Sequence, residues 1–239
     1  MRHKSKIGRN MVGVVAASAL ALVLWSCGDE SGGGQSGRTV DGLTTVACLP
    51  ANNSGAGGVI YSAERIEDGV AYGWLCMGNP DAPVTMVEFA SLTCPHCATF
   101  HNQTLPEIKK QYIETGKVRL VFSNYVFNEY DMAASMIVRC GGPTRAFPLL
   151  ELFFQSQADW YGQDAANKLA ALARRAGINR AKFDACLKNS DLQKHLEGLG
   201  EFASDKYSVN STPTFFINGE EVLGAQPFEV FKKVIESKF

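Results

Sequence analysis

No charge of one sign dominates this sequence: 23 Lys and Arg stand against 24 Asp and Glu over 239 residues, a formal net charge of −1. That balance excludes the basic surface a nucleic-acid partner requires. No unit of 20–50 residues recurs, which excludes solenoids and propellers. Glycine (23) and proline (9) sit near average usage, so neither a collagen-like nor a wholly disordered chain is indicated. No apolar run reaches the roughly 20 residues of a membrane-spanning helix. There is no second Cys-x-x-Cys, and His101 is the only nearby candidate to join the first, so a zinc site lacks its four ligands, and no metal or other cofactor is expected. Cysteine is what the chain does have: seven, too few for a small disulfide scaffold and too many for an exported protein to carry without reason.

The first segment reads as an address. Arg2, Lys4, Lys6 and Arg9 precede Met11–Trp25, 15 residues without a charge. A basic stretch followed by an apolar core this short is an export signal. Leu24-Trp25-Ser26-Cys27 resembles a bacterial lipobox, which makes Cys27 a lipidation candidate and a lipid anchor the chain's only expected link to a membrane. An ordinary cleavage near Ala17-Ser18-Ala19, leaving Cys27 as a spare thiol, is the alternative. Removal of residues 1–27 takes four basic charges and no acids, leaving −5. Residues 28–77, with Gly- and Ser-rich stretches early on, read as a flexible tether and lead-in.

An oxidising envelope permits disulfides. Six cysteines follow the signal: Cys48, Cys76, Cys94, Cys97, Cys140 and Cys186. Cys94 and Cys97 form the one close pair. The other four allow three pairings; nearness along the chain suggests Cys48–Cys76 and Cys140–Cys186, against free buried thiols as the alternative.

Val84–Ala90 reads as a buried strand, and Cys94-Pro95-His96-Cys97 opens a helix, with Pro95 tolerated at the first helical position because an N–H there has no intrahelical partner. Thr104-Leu105-Pro106-Glu107 marks a break or kink. A second strand follows over 117–126, giving a βαβ unit with the cysteines at the start of its helix. From 129 to 207 the apolar spacing is helical, and its Met and Phe positions read as core. Thr214–Ile217, Asn218-Gly219 and Glu220–Gly224 form a hairpin signal, and an amphipathic helix with Phe228, Phe231, Val234 and Ile235 on one side closes the chain. Trp74, Phe100 and Trp160 are assigned to packing.

A thiolate attacks disulfides and a thiol does not. Cys94 at a helix N-terminus faces unpaired N–H groups and the positive end of the helix dipole, and His96 adds a donor, with a positive charge when protonated. Cys97, one turn further in, is placed to resolve a mixed disulfide formed at Cys94. A disulfide closing so small a loop would constrain the unfolded chain little, so a purely structural role is a poor fit.

Strand, CPHC at a helix start, strand, helical insertion, then Thr212-Pro213 before a β-hairpin and terminal helix resembles the thioredoxin fold, and in particular the DsbA-type thiol:disulfide oxidoreductases. The resemblance covers about residues 78–239. It implies an α/β fold with residues 78–128 and 208–239 as the thioredoxin-like part and 129–207 as an inserted all-helical domain. It also implies a cis Thr212-Pro213 bond beside the cysteines, where Thr212 and Pro213 contact substrate. Glu88, six residues before Cys94, matches the family's buried acid and would relay a proton to or from Cys97, a surface carboxylate being the alternative. The implied activity is donation of the Cys94–Cys97 disulfide to unfolded or reduced exported polypeptides in the periplasm or cell envelope, with a DsbB-like membrane partner to reoxidise the site. A disulfide isomerase or reductase of the same fold, and a non-redox peptide-binding chaperone, are the competing expectations.

Overall fold

The computed structural model describes Cys48 and residues 59–239. The signal segment and Cys27 lie outside the described residues. Within these, six strands form one sheet in the order β1-β2-β4-β3-β5-β6. Strands β3 (Val84–Ala90) and β4 (Val118–Asn124) lie side by side, parallel, and every residue of both is buried. Long buried apolar runs suit a central parallel pair covered on both faces. β5 (Thr214–Ile217) runs antiparallel to β3 and pairs with β6 (Glu220–Leu223). Their turn places Asn218 and Gly219 at φ +44° and +87°, the left-handed conformation a two-residue hairpin loop demands.

The expected lead-in is corrected over its second half. Residues 61–77 are a hairpin, β1 (Tyr61–Glu67) and β2 (Val70–Met77), and β2 extends the sheet by pairing antiparallel with β4. Asp68-Gly69, at φ +47° and +76°, is its turn. The register shifts between Ala63 and Arg65, and the Glu64 carboxylate accepts the Trp74 N–H at 3.1 Å. The charged residues of β1 lie on its exposed end, and for that reason the segment reads as loop in sequence.

A helical run starts at Pro95 and continues to residue 113. It comprises α1 (Pro95–Thr99), a π turn Phe100–Thr104, α2 (Leu105–Ile108) and a second π turn Lys109–Ile113. The expected break at Pro106 is not one. Pro106 has no N–H to offer the previous turn, and the ladder widens instead, with Leu105 N–H donating to the Phe100 carbonyl. Because side chains alternate along β3, Met86, Glu88 and Ala90 share one face of the sheet. Met86 and Ala90 pack in the larger core with Cys97, Phe100 and Phe231, whereas Val87 and Phe89 face the smaller core on the other side with Tyr207 and Phe216.

Between β4 and β5 lie only helices: α3 (Glu129–Cys140), α4 (Pro143–Gln155), α5 (Gln157–Trp160), α6 (Ala165–Arg175), α7 (Arg180–Leu187) and α8 (Ser190–Tyr207). Asn128, Asn179 and Asn189 cap α3, α7 and α8 by accepting a backbone N–H three residues on. Arg139 of α3 is fully buried. It donates to Asn124 Oδ1 at 2.9 and 2.7 Å and to the carbonyl of Gly73, tying the insertion to β4 and β2. Burial pulls this guanidinium down to about 9, opposed by Glu64. Cys140 is bonded to Cys186 and Cys48 to Cys76, with Cα separations of 6.1 and 6.4 Å. The helix α9 (Phe228–Glu236) buries Phe231 and Ile235. No helix of the described residues is long and apolar enough to cross a membrane.

Candidate active site

The two central parallel strands end at one edge of the sheet, where Ala90 stands opposite Asn124. The chain leaving β3 turns over Ser91–Thr93 and enters α1 with Cys94 as the N-cap residue and Pro95 at N1. This turn is held from the insertion. Asp131, buried at the start of α3, accepts from Ser91 Oγ (2.5 Å), Leu92 N–H (2.9 Å) and Phe127 N–H (3.1 Å). Gln157 donates from the side to the carbonyls of Leu92 and Cys94, at 2.8 and 3.0 Å. Burial raises the Asp131 carboxyl to about 6 against the pull of those hydrogen bonds.

Cys94 and Cys97 are both free thiols, the first half-buried and the second fully buried. Their surroundings drive them apart. The Cys97 thiol donating to Cys94 is the largest influence on Cys94 and lowers it. Burial opposes this, and Thr212 and the backbone N–H groups of Cys97 and His96 add to the lowering, leaving Cys94 at about 5. Burial pushes Cys97 well up, reinforced by the hydrogen bond to Cys94, by the charge on Cys94 and by that on Glu88. One sulfur is therefore a thiolate at neutral pH and its neighbour a thiol.

Thr212-Pro213 is the cis peptide bond among the described residues, and it brings the Thr212 carbonyl to 3.3 Å from Cys94 Sγ. Pro95 and His96 are exposed on the outer surface of the turn. His96 acts on Cys94 through its backbone N–H. Glu88 is fully buried under α1, with both carboxylate oxygens 3.0–3.1 Å from His101 Nε2. Phe100 and Trp160 are buried packing residues, and the half-buried Trp74 lies edge-on to Phe89 and Phe202.

Sequence reasoning missed Asp131 and Gln157, and it weighed His101 only as a zinc ligand, not as the partner of Glu88. Asp131 carried a faint signal, three residues beyond a capping Asn128 at a helix start. Gln157 carried none, since its partners lie 63 and 65 residues away. His101 stands one helical turn beyond Cys97, on the face of the helix turned toward Glu88.

A family model described as thioredoxin matches residues 72–237. A Rickettsia conorii protein provisionally named protein-disulfide oxidoreductase RC0029 is 33% identical over 147 residues, 61% of this chain and 53% of its own length. The chain thus spans about half the length of the curated Rickettsia relatives it matches. Among solved structures, Wolbachia pipientis alpha-DsbA1 superposes with a TM-score of 0.65 at 27% identity, covering 68% of this chain and 88% of that one. A protein-disulfide isomerase from Novosphingobium aromaticivorans superposes at 0.61 with 29% identity, over 71% and 98% of the two chains.

Proposed function

This chain belongs to the thioredoxin family, and from that premise we propose that it is a DsbA-like envelope oxidoreductase that passes the Cys94–Cys97 disulfide to thiols of exported proteins. The observation that carries the reading is the opposed ionisation of two adjacent sulfurs, Cys94 held down to about 5 and Cys97 pushed up. A client thiolate attacks Cys94 Sγ, the only half-exposed sulfur of the pair. The Cys94–Cys97 bond breaks, and a mixed disulfide joins the client to Cys94. A second client thiol then attacks the client sulfur, and Cys94 departs as the stabilised thiolate. A good leaving group on the protein drives transfer toward an oxidised client.

Thr212 and Pro213 supply the wall along which the client backbone lies, and Glu88 exchanges the proton of Cys97. Clients are reduced, unfolded polypeptides in the periplasm, where the outer disulfides persist, and a quinone-linked membrane partner resembling DsbB restores the active disulfide. The export signal directs the chain to that compartment, and lipidation of Cys27 anchors it there. An isomerase role is favoured by one observation, the 29% identity to a structure bearing that name.

The test is oxidative folding. The oxidised protein added to a reduced, denatured substrate protein is expected to yield native disulfides, with formation of the reduced Cys94–Cys97 pair in equal measure. An isomerase would leave the reduced substrate untouched and rescue a scrambled one. A Cys94→Ser protein of undiminished activity in both assays would leave the peptide-binding chaperone as the reading.

A further inference from the structure

Under the two reactive sulfurs lies another pair of titratable groups, of which thiol exchange written with sulfur alone uses neither. The side chains of Glu88 and His101 are 0% and 1% exposed, and Nε2 of the ring sits 3.0 and 3.1 Å from the two carboxylate oxygens. Three aromatic rings surround the imidazole. Phe154 of α4 stacks on the imidazole at 4.1 Å between centroids, and Phe100 of the π turn and Phe122 of β4 meet it edge-on at 5.5 and 6.2 Å. The other ring nitrogen, Nδ1, is buried and has no hydrogen-bond partner. On the helix above, Cys97 is the titratable group that feels the Glu88 charge.

This geometry limits the states of the pair. A lone carboxylate in an apolar pocket is costly, and a partner that donates to it offsets the cost. A neutral ring protonated at Nε2 donates to Glu88 and leaves only a lone pair bare at Nδ1. Two such groups 3 Å apart hold their protons jointly, so a proton added to the pair belongs to both.

We propose that the Glu88–His101 pair, not Glu88 alone, stores the proton that Cys97 takes up and gives back, with His101 as the positioning residue that aims the carboxylate. This rests on the oxidoreductase reading. In the disulfide form the pair holds two protons and is neutral. When a client thiolate attacks Cys94 Sγ, the Cys94–Cys97 bond breaks and its electron pair goes to Cys97 Sγ. Cys97 takes one proton from the pair and becomes the buried thiol, and the pair is left with one proton and a single negative charge. In reoxidation the Cys94 thiolate attacks a disulfide of the membrane partner, forming a mixed disulfide and releasing one partner thiolate. Cys97 then returns its proton to the pair and its thiolate attacks Cys94 Sγ, which breaks the mixed disulfide, releases the second partner sulfur as a thiolate and leaves the two electrons on the partner. The two electrons accepted by the protein are those lost by the two client thiols, and no buried thiolate stands beside a buried carboxylate at any stage.

The test separates the two sulfurs. Attack of dithiothreitol on the oxidised protein, followed by stopped flow across pH, reads departure of Cys97. Alkylation of the reduced protein by iodoacetamide reads Cys94. His101→Gln is expected to slow the first reaction about tenfold, within the range of positioned proton transfer, and to displace its pH profile. Glu88→Gln is expected to do the same, and the double variant to be no slower than either, since the two act as one unit. The alkylation midpoint is expected to stay near 5. A His101→Gln profile that overlays the wild type overturns the pair as proton store while leaving the oxidoreductase reading intact; a wild-type disulfide inert to dithiothreitol overturns that reading itself. Should the variant fail to fold, ¹⁵N resonances of the His101 ring in the wild-type protein decide the matter. Shifts that change between disulfide and dithiol forms support the proposal, and identical shifts in both forms across the pH range overturn it.

Discussion

Cys140 and Cys186 join two helices of the insertion and are both buried among apolar neighbours; Cys94 and Cys97 lie in one turn of one helix, and only one of them is buried. The first pair closes a separation of 46 residues and restrains the unfolded chain. The second closes almost nothing, so its value lies in reactivity. The sulfurs of the helical pair are bonded to each other and do not titrate. The sulfurs of the turn are made unlike by a helix N-terminus on one side and burial beside Glu88 on the other. Chemistry, here, is a property of the surroundings of a cysteine pair and not of the pair itself.

The largest way to break the contrast is at the reactive sulfur. Cys94→Ser is expected to abolish thiol exchange completely, and Cys97→Ala to leave Cys94 locked in mixed disulfides with its clients, both readable by gel shift after thiol alkylation. The structural pair should respond in the opposite sense. Cys140→Ala with Cys186→Ala is expected to lower stability by about 4 kcal/mol in denaturant unfolding, the chain-entropy value for a loop of that size, and to leave exchange with dithiothreitol at the wild-type rate. A loss of exchange without loss of stability would erase the distinction.

Asp131 sharpens it from a third side, because it holds the turn by hydrogen bonds to Ser91 and Leu92. Its carboxyl is at about 6 in the fold and near 3.9 when unfolded. Between those values the folded chain binds more protons than the unfolded one, so stability is expected to fall as pH rises from about 4 to about 6. The contribution is on the order of 3 kcal/mol. Asp131→Asn is expected to flatten that slope, measured by denaturant midpoints across the window. The smallest effect is expected at His96. Since its backbone N–H acts on Cys94, His96→Ala should move the thiolate midpoint by less than about half a unit, well under the 1.4 kcal/mol that one unit represents.

The parts of the molecule that could be read in sequence are those written in short-range pattern. The apolar run 84–90, Pro95 behind Cys94 and Asn218-Gly219 between two strands each fix a local geometry, and the sheet core and reactive turn follow from them. The β1–β2 hairpin escaped because its strand is charged at its exposed end and follows a glycine-rich stretch; Asp68-Gly69 was its one clear mark. The roles of Asp131, Gln157 and His101 escaped for a different reason. Their partners are 40, 63 and 13 residues away, and no periodicity encodes a hydrogen bond across that distance. Glu88 was legible as a buried acid, but the imidazole beside it was not.

The measurement that bears most directly on the opposed sulfurs is the thiolate absorbance of the reduced protein titrated from pH 3 to 10, with the disulfide form as blank. One thiol is expected to ionise near 5 and to vanish in Cys94→Ser, while the other stays silent across the range. Two thiols ionising together near 8.5, as free cysteine does, would contradict the account at its root.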